Sequence, residues 1–163
     1  MEIVNIVPPF DAATHRRAST STDSHDPDTG GVVRTWDVEP IPLDELVASA
    51  VARINMEAGE LRARRITVTV GQEGTYIAKQ AEADRYFAGD PGSYPYLDAE
   101  AAAVGSTRAE MAELVRATAE GWTALNAAIE GARRGALVAV ERAAAAGDAV
   151  GVAGVFPVAW PPA

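Results

Sequence analysis

The sequence predicts a mainly α protein: a helical hairpin or small bundle with one long C-terminal helix, an N-terminal β-arm or hairpin, and an extended C-terminal tail. Three observations carry that expectation. Met111, Val115, Thr118, Trp122, Leu125, Ile129, Ala132 and Ala136 recur at alternating steps of four and three, the seam of a helix that pairs lengthwise with another. Residues 32–38 change to a period of two, with Trp36 and Val38 on one face and Thr35 and Asp37 on the other. Past Gly147 the helical period dissolves into a glycine-spaced, proline-ended apolar run. The chain therefore reads as a β-arm with a polar loop (1–40), a helical domain (41–147) and an extended apolar tail (148–163).

Within the arm, residues 3–7 are a short apolar strand stopped by Pro8 and Pro9. About twenty mostly polar residues follow, long for a hairpin loop, and they read as a mobile tip or a loop ordered by a partner. Asp26-Pro27-Asp28-Thr29-Gly30-Gly31 is dense turn chemistry ahead of the Trp36 strand. Pro40 and Pro42 close that strand.

A first helix opens at Leu43, with Asp44 and Glu45 in its first turn and Leu43, Val47, Ala50, Ile54 and Leu61 as its seam. Residues 66–70, Ile-Thr-Val-Thr-Val, read as an extended link or short strand. A second helix covers about residues 73–87, with Tyr76, Gln80, Ala83 and Phe87 on one face, and Gly89-Asp90-Pro91-Gly92 ends it. The long third helix starts at Thr107, which forms a capping-box pattern with Glu110. Gly121, Gly131 and Gly135 inside it read as tolerated rather than as points of close backbone approach.

Charge and composition exclude several functions. The 163 residues carry a formal −9, and thirteen arginines with one lysine are outnumbered by 23 acids. A phosphate-binding surface needs dense positive charge, so no nucleic-acid partner is expected. The clusters Arg62-Ala63-Arg64-Arg65 and Arg133-Arg134 read as solvated, salt-paired helix faces. No membrane span and no signal peptide are expected. With no cysteine in the chain, thiolate chemistry is excluded.

No constellation reads as a catalytic, cofactor or metal site. His15 and His25 both lie in the polar loop, away from any serine elbow before a helix. Asp23-Ser24-His25-Asp26-Pro27-Asp28 offers oxygen ligands without the spacing of a calcium loop, and it reads as a solvated tip. Gly71-Gln72-Glu73-Gly74 lacks the order of a phosphate loop. Lys79 reads as a partner of Glu82 on its own helix. Met111, Val115, Trp122, Leu125 and Ile129 read as core seam. Trp36 and Val38 in the arm, with Phe156 and Trp160 in the tail, read as interface residues, because tryptophan is enriched in interface anchors. The tail docks either on its own domain or on a neighbour; interface use predicts that deleting 150–163 spares the melting temperature.

The runs Val7-Pro8-Pro9-Phe10-Asp11-Ala12-Ala13-Thr14-His15-Arg16 and Val33-Arg34-Thr35-Trp36-Asp37-Val38-Glu39-Pro40 resemble the start of small tail-fibre-associated and tail-fibre-assembly proteins of tailed bacteriophages. Tyr76-x-x-Lys79-x-x-Glu82-Ala83, Tyr94-Pro95, Trp122 and Ile129-x-x-x-Arg133 extend the resemblance over most of the chain. It implies a non-enzymatic tail structural protein at the fibre or tail-tip attachment region, acting through subunit interfaces without cofactors. Its partners would be fibre or baseplate subunits, in a homo-oligomer or hetero-complex, located in the virion and in host cytoplasm during assembly. Alternatives are a fibre-assembly chaperone absent from the mature virion, or a head decoration protein.

Overall fold

A computed structural model describes residues 3–64 and 72–162, the first two residues of the second stretch by backbone alone. Eight elements follow in order: β1 (Ile3–Ile6), β2 (His15–His25), β3 (Val32–Pro40), α1 (Leu43–Ala63), α2 (Gln72–Phe87), α3 (Pro95–Val104), α4 (Arg108–Ala145) and α5 (Ala149–Ala153). The expected extended link at 66–70 lies outside the described residues.

The mainly α bundle with a β-arm is corrected here. Among the described residues the chain is mixed α/β: five helices accompany a three-stranded mixed sheet of order β1-β3-β2. The reason lies in residues 15–25. Their run of Ser, Thr, Arg and Asp shows no apolar alternation, yet they form an eleven-residue strand paired antiparallel to β3, from His15 opposite Pro40 to His25 opposite Val32. The hairpin therefore joins β2 to β3, while β1 lies parallel to β3 on its other side. The tail is not wholly extended either, since its first residues wind into α5.

Two compact units arise from the chain, Met1–Met56 with Arg133–Ala159 and Glu57–Ala132 with Trp160–Ala163. The first contains the sheet, the start of α1, the end of α4 and α5. Ala50 and Ile54 of α1, Val140 of α4 and Val152 of α5 are its buried aliphatic residues among the helices. The turn linking β2 to β3 forms as its residue types require. The Gly30 N–H donates to Asp26 O, and Gly30 takes the left-handed φ of 69° that suits glycine.

In the second unit, Ala83 of α2, Tyr94, Leu97 and Ala101 around α3, and Met111 and Ala112 of α4 make one core, with Tyr86 and Val115 against it. No helix was expected at residues 95–104. Pro95 opens it and Gly105, at φ 71°, closes it, but Tyr94 at the N-cap offers no side-chain bond. Glu82 supplies one from α2. Its carboxylate is 4% exposed and accepts the N–H of Tyr96 and of Leu97, each at 3.0 Å. An anion at a helix N-terminus satisfies orphan donors and favours the dipole. Lys79, expected to pair with Glu82, bonds Glu100 of α3 instead.

The long helix begins as its capping box requires. Thr107 N–H donates to Glu110 Oε2 at 2.8 Å, and Glu110 N–H donates to Thr107 Oγ1 at 3.2 Å. Along its seam Met111 and Ile129 are buried, Val115, Trp122 and Leu125 half-buried, and Thr118 exposed. A side chain built at Gly121, Gly131 or Gly135 would meet only open space.

Candidate functional site

The sheet is the part of the molecule whose side chains are least used by its own core. Within its three strands Ala18 alone is buried. Register assigns the two faces. Ile3, Asn5, Val32, Arg34, Trp36 and Val38 share one face with Arg17, Ser21 and Asp23 of β2. Val4, Ile6, Val33 and Thr35 share the other with Thr22 and Ser24.

On the first face Trp36 is half-buried: its indole N–H donates to Asn5 Oδ1 at 3.1 Å, and the Arg17 guanidinium stands 4.2 Å from its ring. Val38 is half-buried beside it, opposite Arg17. Arg34 binds Asp23 through two hydrogen bonds of 2.8 Å, and this guanidinium holds the Asp23 carboxyl below the usual carboxylate range. On the second face Thr20 donates to Asp37 at 2.6 Å.

Asp11, Thr14 and His15 come together where β2 begins. Asp11 O accepts the N–H of both Thr14 and His15, and Asp11 Oδ1 accepts the N–H of Ala13. Thr14, buried, donates its hydroxyl to Asp11 Oδ2 at 3.3 Å and lies 2.9 Å from His15 Nδ1. A hydroxyl, an imidazole and a carboxylate are thus adjacent, but the hydroxyl stands between the other two. A base in that role would have to lie between the acid and the nucleophile. The arrangement is a side-chain-stabilised turn. Arg16 then ties the junction, bonding Glu39 at the end of β3 and Glu45 in the first turn of α1.

The loop offered for a cation is used internally. Asp23 is engaged by Arg34, and Asp26 accepts from the Asp28 N–H at 2.9 Å and the Thr29 hydroxyl at 2.6 Å. Those bonds hold Asp26 below its ordinary pKa, the Thr29 hydroxyl foremost. Among the described residues no group of three or more His, Asp or Glu is arranged to hold a metal. The basic clusters have acceptors: Arg62 donates to Asn126 and Glu130, Arg133 to Asn55, and Arg134 lies 3.8 Å from Glu141. No helix among the described residues is long and apolar enough to cross a membrane.

The tail residues contact their own chain. The Arg53 guanidinium covers the Phe156 ring at 4.1 Å, and Trp160 donates its indole N–H to Glu57 Oε2 at 2.8 Å. Arg53 and Glu57 are one turn apart on α1, so the tail follows that helix. A cavity of about 340 Å³ lies beside Phe156, lined by Leu46, Ala50, Arg53 and Val152 among others. Another of about 180 Å³ lies between Val4, Val33 and the Asp26–Gly31 turn.

Sequence reasoning singled out Trp36 and Val38 and missed their surroundings. β2 left little signal beyond its serines and threonines, and the Asn5 bond to Trp36 depends on a parallel pairing that no local pattern encodes. No family model, curated protein or solved structure matches the chain.

Proposed function

We propose that this chain is a non-enzymatic structural protein of a bacteriophage tail, working through subunit interfaces at the fibre or tail-tip attachment region. The resemblance of the 7–16 and 33–40 segments supplies the phage context. The observation that carries the interface reading is the uncovered sheet. A three-stranded sheet gains stability by laying an apolar face on something. Here both faces keep aliphatic side chains at the surface.

Trp36 and Val38, at the centre of the sheet, are the expected anchors.

Mass spectrometry of purified virions encoded with this chain tests the reading: it expects a stoichiometric component, located on the tail. Presence in infected cells with absence from particles would make the chain an assembly chaperone instead. A head location would make it a decoration protein.

A further inference from the structure

The two edges of the sheet are treated differently. Exposed edges recruit foreign strands through unpaired N–H and C=O groups, so proteins blunt them with charge, proline or bulges. The β2 edge has such devices: Arg16, Arg17 and Asp23 stand along it, and its register breaks between Arg17 and Ser21. The β1 edge has none over residues 3–7, Ile-Val-Asn-Ile-Val, an uncharged run in a chain of net charge −9. Ile3, Val4, Ile6 and Val7 are each 41–48% exposed.

We propose that a second copy of this chain completes the β1 edge, pairing antiparallel across a two-fold axis at Asn5 to form a continuous six-stranded sheet. The inference deepens the interface reading above by naming the partner of one surface. Each copy carries −9, so contact between copies is least opposed on uncharged surface, and the run 3–7 is uncharged. Self-complementarity of that run selects both a copy of the chain as its occupant and the register. Strands related by a two-fold axis within one sheet oppose residues of equal parity, so centring on Asn5 sets Val4 against Ile6 of the second copy and Ile3 against its Val7. Each exposed aliphatic residue then meets another, on both faces of the sheet. Centring on Ile6 would oppose Val4 to Pro8, which cannot donate to a ladder. Centring on Val4 would oppose Ile6 to Glu2. The Asn5 amide is already oriented by Trp36, so the residue at the axis is held in place.

The absence of native cysteine makes the test clean. Residues directly opposite in an antiparallel pair have Cα atoms about 4.5–5.5 Å apart, within disulfide reach. Light scattering of the full chain at high micromolar concentration is expected to give twice 17.0 kDa. Under oxidant, Asn5→Cys is expected to form a covalent dimer several-fold faster than Thr22→Cys on the guarded edge. Val4→Lys and Ile6→Lys should return single chains with an unchanged circular dichroism spectrum. A parent chain of single mass at that concentration overturns the proposal, as does a dimer that persists in folded Ile6→Lys. So does a complex that forms only with a different subunit. Absence of the chain from virions would count against the tail reading alone and leave the solution dimer intact.

Discussion

Within the second unit, Glu82 is a buried acceptor that ties two helices together. It links α2 to α3 by satisfying two N–H groups that the local sequence leaves orphaned. Glu82→Ala is expected to lower stability by about 2–3 kcal/mol, read from thermal or urea unfolding, because the donors remain buried without an acceptor. Glu82→Gln, which keeps one acceptor oxygen, should lose less than half of that. Asp23, Asp26 and Glu110 contribute to the acid response. Each carboxyl is held below its ordinary pKa by hydrogen bonds: from Arg34 to Asp23, from the Thr29 hydroxyl to Asp26, and from the Thr107 N–H to Glu110. The unfolded chain therefore binds more protons than the folded one in this range, and stability falls as pH drops through the usual carboxylate values. Melting temperature should be flat near neutrality and decline below that range. In Asp26→Asn, which cannot titrate and keeps an acceptor, the decline should be shallower.

Among the elements, α4 is the one most open to improvement. Gly131 and Gly135 lie in its interior, exposed, with free space around each. Replacing either by alanine is expected to stabilise the chain by about 0.4–1 kcal/mol, through lower unfolded-state entropy and better helix propensity. A loss on substitution, measured by urea unfolding, would show that another backbone approaches there. Thr107→Ala should act in the opposite sense, costing about 1 kcal/mol by breaking the capping box. β2 shows the limit of element-level patterns. Its exposed Ser and Thr residues are compatible with a strand, but alternation betrays a strand only when one face is buried, and in β2 Ala18 alone is buried.

For the whole molecule, the tail is the deciding test. Val152 is fully buried, and Phe156 and Trp160 lie half-buried against Arg53 and Glu57. Deleting residues 150–163 is expected to cost several kcal/mol, since burying one large apolar side chain contributes about 1.5–3 kcal/mol. The melting temperature should fall by many degrees. Retention of it would return the tail to the interface role that its composition alone had suggested.

The amino-acid sequence determined whatever is encoded within a few neighbouring residues. The capping box at Thr107 and Glu110, the turn at Asp26–Gly31, the stop after Phe87, the long helix and the two faces of the Trp36 strand all depend on backbone geometry and side-chain bonds of short range. The turn that Asp11, Thr14 and His15 build was not legible in the same way. Tertiary structure alone decided the parallel pairing of β1 with β3, the recruitment of a polar run as β2, the capping of α3 by Glu82, and the return of the tail to α1. Each joins residues far apart in the chain, and its free energy comes from hydrogen bonds and burial that exist only once both partners are in place. For the same reason, a free sheet edge becomes visible only when the strand order is known.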